Sequence, residues 1–317
     1  MKQHLWISGR FKETENYKAL KSPYSGEVIA EVAMASPSDV ESAIDAADQA
    51  RKIMAEMPAH KRAEILENAV AIMKEEKEEC AMIIAREASK PLKAARGEVD
   101  RTIMTYTFAA QEARKLYGET IPMDAAPGGE GRVAYTVKEP LGIIGAITPF
   151  NFPMNLVAHK VGPAIAAGNT VVLKPASQTP MSAYKIADIF HRAGLPEGAL
   201  NVITGSGGTV GDVLVADDRI SMITFTGSPA VGKQIRENAG LKRVTLELGS
   251  NSAVVVDENA DVEKIVARIA AGAFAFQGQV CISVQRIYVH ESLYQTFAER
   301  FVEEAKKLKI GDPLNEE

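Results

Sequence analysis

A doubly wound, parallel α/β sheet is the fold class that this sequence predicts, on three observations. Beyond Leu141, short apolar strands alternate with helix-like stretches: IIGAIT, TVVLK, ALNVITG, ISMITFTG and RVTLELG. The strands are almost continuously apolar, as expected where helices cover both faces of a sheet. Stop and cap signals punctuate the alternation, at Gly168-Asn169, Thr179-Pro180 and Ser228-Pro229. Sheets of this class bind ligands at the carboxyl ends of their strands.

The bulk properties narrow the function. The chain has 317 residues, which suggests about two domains. It is 46% hydrophobic and 24% charged, enough apolar material for a large core. The net charge is -5, so no basic excess points to nucleic acid. Two cysteines cannot build a disulfide framework, which fits a reducing compartment. The start, MKQHLWISGRFKE, has no apolar segment typical of a signal peptide. No apolar run is long enough to span a bilayer. A soluble, cytoplasmic protein is expected, with no metal.

Each element can be justified in turn. The first third reads as helical. SPSDVESAIDAADQARKIMAEM opens on Ser36 and Ser38, and Ser38 with Glu41 has capping-box spacing. A second helix is expected from about Pro58 through Ala88, with Cys80 as packing inside it. A third runs from roughly Ala94 to Tyr117. From Ile121 to Glu139, turn residues and the alternating run RVAYTVKE predict a β-hairpin. The doubly wound strands follow, with a helix from Met154 to Gly168 and others after Pro180, Ser206 and Ser228. Past Ser250 come a strand (SAVVVD), a long helix ending near Gly278, the strand QRIYVH, and a last helix from about Glu291 to Leu308.

Several strand ends carry residues suited to chemistry. GSGGTVG, with Gly205, Gly207 and Gly211, joins a strand to a helix; it reads as a phosphate cradle or as an ordinary glycine-rich turn. FTGSPAVG, from Phe225 through Gly227 and Ser228 to Gly232, offers free helix N–H groups to an anion, or is a plain capped start. Lys174, ending VVLK, can snorkel or meet a phosphate. Glu247 ends a strand, where burial would raise its pKa and suit it to general base work; a solvated Glu is the bland alternative. Asn151, held in TPFNFP between two prolines, is a candidate oxyanion donor, or simply bonds its own turn. Cys281, in GQVCIS, is either a small core residue or a nucleophile.

PFNFP, KPAS, FTGSPAVG, LELG and GQVC, in this order, resemble the motifs of the aldehyde dehydrogenase superfamily. Glu247 and Asn151 precede Cys281 by 34 and 130 positions, similar to that family's spacing. The resemblance runs along the whole chain. It implies a Rossmann-like domain (1–119 and 140–250), an oligomerisation hairpin (120–139) and a catalytic domain (251–317), in an aldehyde dehydrogenase-like fold. Carried over by motif, the nucleophile falls on Cys281, the oxyanion amide on Asn151 and the general base on Glu247. Lys174 and Ser177 fall where the adenosine ribose is read. Gly205, Gly207, Gly227, Ser228 and Gly232 fall at the cofactor phosphates. Thr148, Phe150, Ala176, Gly211, Phe225 and Gly249 complete the cofactor set, Phe150 replacing the usual Trp. Ser177 stands where many relatives carry Glu, so NADP acceptance beside NAD is expected. His159, Phe152 and Arg114 are the candidate substrate contacts, and His159 suggests a small polar or anionic aldehyde. LELGSNS and GQVCISVQR look most like a subgroup acting on lactaldehyde-like, phosphonate or phosphorylated aldehydes. Ser250-Asn251 departs from the commoner Gly-Lys.

The implied activity is oxidation of such an aldehyde to its acid through a cysteine thioester, with hydride passing to NAD(P). The alternatives are transfer of the thioester to coenzyme A, and a non-catalytic homologue. The resemblance also implies a longer catalytic domain, with a Glu for the nicotinamide ribose and a last strand that pairs with a neighbour. Neither is found before the GDPL stretch at Gly311–Leu314, so a fragment or a truncated protein is expected. A homodimer or homotetramer is expected of the complete protein.

Overall fold

The computed structural model describes residues 1–316. Five short strands open the chain: β1 (Lys2–Gln3), β2 (Leu5–Ile7), β3 (Arg10–Lys12), β4 (Tyr17–Lys21) and β5 (Val28–Ala33). Helices α1 (Pro37–Glu56), α2 (Ala59–Glu75), α3 (Lys77–Ala88) and α4 (Leu92–Ala113) follow. Two-residue strands β6 (Thr120–Ile121) and β7 (Ala134–Tyr135) make an antiparallel pair. Then come β8 (Ile143–Ile147), α5 (Asn155–Ala166), β9 (Thr170–Lys174), α6 (Met181–Arg192) and β10 (Leu200–Val202). A π-helical turn at Gly207–Gly211 leads into α7 (Asp212–Ala216), β11 (Ile220–Gly227), α8 (Pro229–Asn238) and β12 (Arg243–Leu248). The chain continues through β13 (Ala253–Val256), α9 (Val262–Phe274), β14 (Arg286–Val289) and α10 (Glu291–Lys306).

The main sheet has the order β12-β11-β8-β9-β10-β2-β3. Its first five strands are parallel, and β2 and β3 extend it antiparallel. Chain order runs outward from β8 in both directions, so the switch point lies between β8 and β11. Successive side chains of a strand face opposite ways, and the core divides accordingly. Ile144, Ala146, Val171 and Leu173 join one cluster with α2, α4, α5 and α6. Ile143, Ile147 and Val172 join another with α1, α7 and Ile235 of α8. A third cluster, around Val256, Val266, Ile269 and Phe297, packs α9 and α10 against the parallel pair β13 and β14.

Local chemistry corrects several expectations. The capping box of α1 is Ser36 with Asp39, not Ser38 with Glu41: Ser36 Oγ accepts from the Asp39 amide, and Asp39 accepts from the Ser36 amide at 2.9 Å. The second helix breaks at Glu76, whose φ of -100° and ψ of 22° leave helical geometry. Thr179 does not cap α6. The buried Glu87 carboxylate does, accepting from the Met181 and Ser182 amides at 2.7 and 3.0 Å, while Thr179 Oγ1 donates to Phe150 O. The hairpin shrinks to the two-residue strands β6 and β7, because turns occupy most of the segment between them. The first third is not helical throughout: five short strands occupy residues 2–33 ahead of the helices.

Candidate active site

Asn151 and the Cys281 loop come together from opposite ends of the sequence. The β8 strand ends at Ile147, and the turn TPFNFP swings over its carboxyl edge into α5. Asn151 Nδ2 donates to Gln279 O at 2.8 Å, two residues before Cys281. Its Oδ1 is buried and makes no hydrogen bond. Cys281 is exposed and free, whereas Cys80 is fully buried. Burial pushes the Cys80 thiol up to about 12, which makes it inert, as its packing role requires.

The loop that carries Cys281 is under backbone constraint. After α9, Phe276 and Gln277 take φ of 45° and 54°, and Gly278 follows at 75°. Left-handed geometry costs non-glycine residues about 1 kcal/mol or more, so the surroundings must hold it. Ser283 Oγ donates to Ala273 O at 3.1 Å, and the Val284 amide donates to Gly272 O. These bonds tie the far side of the loop back to α9.

Glu247 is exposed, against the expectation of burial. The reason is position: β12 is the edge strand of the sheet, so its residues alternate between exposed and half-buried. The group sequence reasoning missed beside it is Lys160, on α5. Lys160 is buried and donates to Thr224 Oγ1 and Thr226 Oγ1 at 3.2 and 2.8 Å. Thr226 is the register partner of Glu247. Burial pulls the Lys160 ammonium down to about 8, and the Glu247 charge opposes that fall. The signal was available: a lysine one turn inside an apolar helix must find a partner or neutralise.

His159 is exposed at the mouth of a cavity of about 320 Å³ shared with Asp100, Arg101, Met104, Thr105 and Phe108 of α4, Asp100 being paired with Lys77. Asn155 Nδ2 donates to its Nε2 at 3.2 Å. Partial burial lowers its pKa, helped by the charges of Arg101 and Lys160 and opposed by Glu247. Arg101 also leans over the Phe152 ring, 5.7 Å from its centroid. Arg114 is not part of this cavity. It makes a bidentate pair with Glu67 at 2.7 and 3.0 Å, which consumes its guanidinium. Arg101 follows Asp100 on α4 and was not among the residues the sequence motifs pointed to.

The cofactor candidates divide into two groups. A cavity of about 400 Å³ opens at the sheet's switch point, where β8, β9 and β11 end. Lys174, Gly207, Gly211 and Phe225 line it, with Ile147, Val231 and Ile235 as apolar walls. Lys174 is buried, its pKa lowered by burial, and only a long 3.4 Å bond to Pro175 O holds its ammonium. The wall is open at these glycines: a Cβ on Gly207 would meet nothing within 4 Å, and one on Gly211 only Lys174 Cδ at 4.0 Å. An apolar slot ending on an underpartnered buried cation fits the anionic, flat-ringed end of a dinucleotide.

Three other glycines have a packing reason of their own. A Cβ would approach Val210 Cγ2 to 2.4 Å at Gly205, the Phe225 ring to 2.4 Å at Gly227, and Leu248 Cδ2 to 2.7 Å at Gly232. Gly232 lets α8 approach β12, Gly227 leaves room for the Phe225 ring of its own strand, and Gly205 leaves room for Val210 of the turn that follows it. Ser228 caps α8, its Oγ accepting from the Val231 amide. The Ser177 hydroxyl donates to Gly205 O at 3.2 Å and lies in a separate small cavity with Thr204. Thr148 is buried and its amide donates to Lys174 O. Ala176 accepts from the Thr179 amide, and Gly249 lies near Pro229. Among the described residues no helix is long and apolar enough to cross a membrane, and no cluster of three His, Cys, Asp or Glu could hold a metal.

A sequence model of the aldehyde dehydrogenase family matches residues 11–317. The chain is 44% identical over 313 residues to the 3-sulfolactaldehyde dehydrogenase of Priestia aryabhattai, covering 99% of this chain and 65% of that protein. It is 42% identical to the lactaldehyde dehydrogenase of Methanocaldococcus jannaschii, over 98% of this chain and 67% of that one. Among solved structures, an NADP-dependent glyceraldehyde-3-phosphate dehydrogenase from Bacillus halodurans, complexed with NADP, superposes with a TM-score of 0.97 at 36% identity, covering 99% of this chain and 67% of that one. Aldehyde dehydrogenase 21 from Physcomitrella patens, with the reaction product succinate, gives 0.95 at 41%, covering 99% and 66%. The chain thus spans about two thirds of the length of the proteins it matches.

Proposed function

The chain belongs to the aldehyde dehydrogenase family, and from that premise we propose that the protein oxidises a small polar or anionic aldehyde to its carboxylic acid with NAD(P). The observation that carries the reading is the hydrogen bond from the Asn151 amide to Gln279 O, beside an exposed Cys281. An aldehyde has only hydride to lose, and hydride leaves only from a tetrahedral adduct. The Cys281 thiol first gives its proton to solvent or a nearby base, and the thiolate then adds to the carbonyl carbon as the C=O π electrons move to oxygen. The oxyanion then takes the Asn151 Nδ2–H and the Cys281 backbone N–H, the Gln279 bond being given up as substrate arrives. The bound dinucleotide supplies the hydride acceptor; Lys174 and the glycine-lined cavity would hold it. A thioester on Cys281 remains. Glu247 activates water to release the acid, with Lys160 held close by through Thr226, the register partner of Glu247. Hydrolysis is favoured over transfer to coenzyme A because this base is present.

Arg101 and His159, sharing one cavity, support an aldehyde with an anionic or hydroxylated tail. Ser177 supports acceptance of NADP beside NAD. The divisions at 120–139 and 251–317, and assembly into a homodimer or homotetramer through the hairpin, belong to the same reading. The experiment is a screen of lactaldehyde, sulfolactaldehyde, succinate semialdehyde and glyceraldehyde 3-phosphate with both cofactors. Turnover that is lost in Cys281→Ser supports the reading. Turnover that survives Cys281→Ser, or none with any pair, overturns it.

A further inference from the structure

Lys90 and Glu98 form an ion pair inside the helical layer, with side chains 2% and 0% exposed. Lys90 lies in the short link between α3 and α4, and Glu98 lies on α4. Burial of this kind is costly unless every group is satisfied, and here every group is spent on the Asn151 turn. Glu98 Oε2 accepts from Lys90 Nζ. Glu98 Oε1 accepts from the Met154 and Asn155 amides at 2.9 and 3.2 Å, which are the free donors at the start of α5. Lys90 Nζ donates to Asn151 O at 2.7 Å. Its remaining contacts are aromatic: the ammonium lies 3.9 Å from the Phe152 ring centroid and 4.6 Å from that of Phe276. Phe276 is the left-handed residue at the start of the Cys281 loop.

One ammonium therefore touches both halves of the site. It binds the backbone of Asn151 on one side and sits under the ring of Phe276 on the other. A cation over a desolvated ring is attracted by the ring's negative face, so Lys90 can hold Phe276 in a backbone conformation it would otherwise avoid. Glu98 fixes the ammonium and anchors Met154 and Asn155, where the turn enters α5.

We infer that Lys90, held by Glu98, is a positioning residue that sets the Asn151 amide against the Cys281 loop. The inference rests on the reading of Asn151 as oxyanion donor. Lys90 touches no reacting atom and acts through Asn151 and Phe276. Lysine suits the place because three donors point from one compact centre, enough for a carboxylate and a carbonyl with the rest of the charge over the rings.

The test is a double-mutant cycle in the full-length enzyme, scored by kcat and by NADPH affinity from fluorescence titration. The neutral pair Lys90→Gln with Glu98→Gln avoids stranding a buried charge. Phe276→Leu is a second variant that leaves the ion pair intact. Asn151→Ala should lower kcat by roughly 100–1,000-fold, the usual loss for one oxyanion donor. The neutral pair should lower kcat by roughly 10–100-fold, and Phe276→Leu by about 10-fold, with NADPH affinity within about twofold of wild type. Placed on Asn151→Ala, either should cost less than about threefold more, because residues that act as a unit are not additive. Equal losses in both backgrounds would show a merely structural role and overturn the inference. An undiminished kcat in Asn151→Ala would overturn the oxyanion reading, and the inference with it.

Discussion

The side-chain amide of Asn151 and the carbonyl of Gln279 are 2.8 Å apart although 128 residues separate them in the chain. That bond aims the Asn151 N–H at the loop bearing Cys281 and leaves the amide oxygen buried without a partner. Asn151→Asp keeps the shape but replaces the donor with an acceptor facing another acceptor. Steady-state kinetics should show kcat reduced by roughly 100–1,000-fold. Iodoacetamide should still label Cys281, read by intact mass, because the thiol is exposed. Activity within tenfold of wild type would remove Asn151 from the oxyanion role.

Lys160 should trade stability for activity. Its pKa falls from 10.5 to about 8 because burial penalises the charge. Between those values the unfolded chain binds more protons than the folded one, so this group makes stability rise with pH from about 8 to 10.5. Below pH 8 the penalty is full. Lys160→Met should therefore stabilise the protein at pH 7 by on the order of 1–3 kcal/mol, and the gain should fade by pH 10.5. Urea melts at the two pH values check this. Meanwhile kcat should fall by roughly 10–100-fold, since Thr226, the register partner of Glu247, loses the ammonium that holds its hydroxyl. A variant less stable at pH 7 than wild type would contradict this account.

Much of the fold was legible because it was local. TVVLK is five buried residues in a row, which only a doubly covered strand explains, and Ser228-Pro229 starts α8 as its chemistry dictates. The first strands were not legible because their partners are remote: Trp6 pairs with Val202, and Lys2 with Glu31. No strand among these five exceeds six residues, too short for alternation to speak. The site divides the same way. Asn151, Glu247 and Cys281 sit in motifs that sequence displays. Arg101 and Glu98 on α4 and Lys90 in the α3–α4 link give no such display, because the Asn151 turn they meet is remote in sequence; Lys160 carried a signal as a charge set in an apolar helix. Arg114 shows the converse: its position on α4 was noticed, but Glu67 on the neighbouring α2 takes its guanidinium.

Ser177 should govern cofactor choice. A carboxylate at this position would bond a ribose 2′-hydroxyl and repel a 2′-phosphate, whereas the hydroxyl present does neither strongly. Ser177→Glu should lower kcat/KM for NADP by roughly 100-fold, about 2.7 kcal/mol, and change that for NAD by less than about threefold. Lys174, buried close to the same strand end, should not offset the repulsion, because it lines the larger cavity whereas Ser177 lines the smaller one. A parallel loss with both cofactors would instead mean that the Ser177 bond to Gly205 O supports the loop itself.

Glu76 should set part of the acid stability. It ends α2, and its carboxylate receives Arg192 at 2.6 and 2.7 Å and Lys185 at 2.9 Å. The Arg192 hydrogen bonds are the largest cause of a pKa lowered from 4.5 to about 2. A depressed carboxylate contributes stability above its unfolded value and loses it as pH falls through the folded one. The window is therefore pH 4.5 down to about 2. The site is partly solvated, so screening cuts its worth at neutral pH to about 1 kcal/mol. Glu76→Gln should cost about that much at pH 7, and the difference from wild type should vanish near pH 2. Because Lys185 also reaches Glu79 at 2.7 Å, Glu79→Gln should cost less than Glu76→Gln. Chemical melts of the two variants at pH 7, 4 and 3 test the order, and a Glu76→Gln penalty that persists unchanged at pH 3 would reject the ion pair as its source.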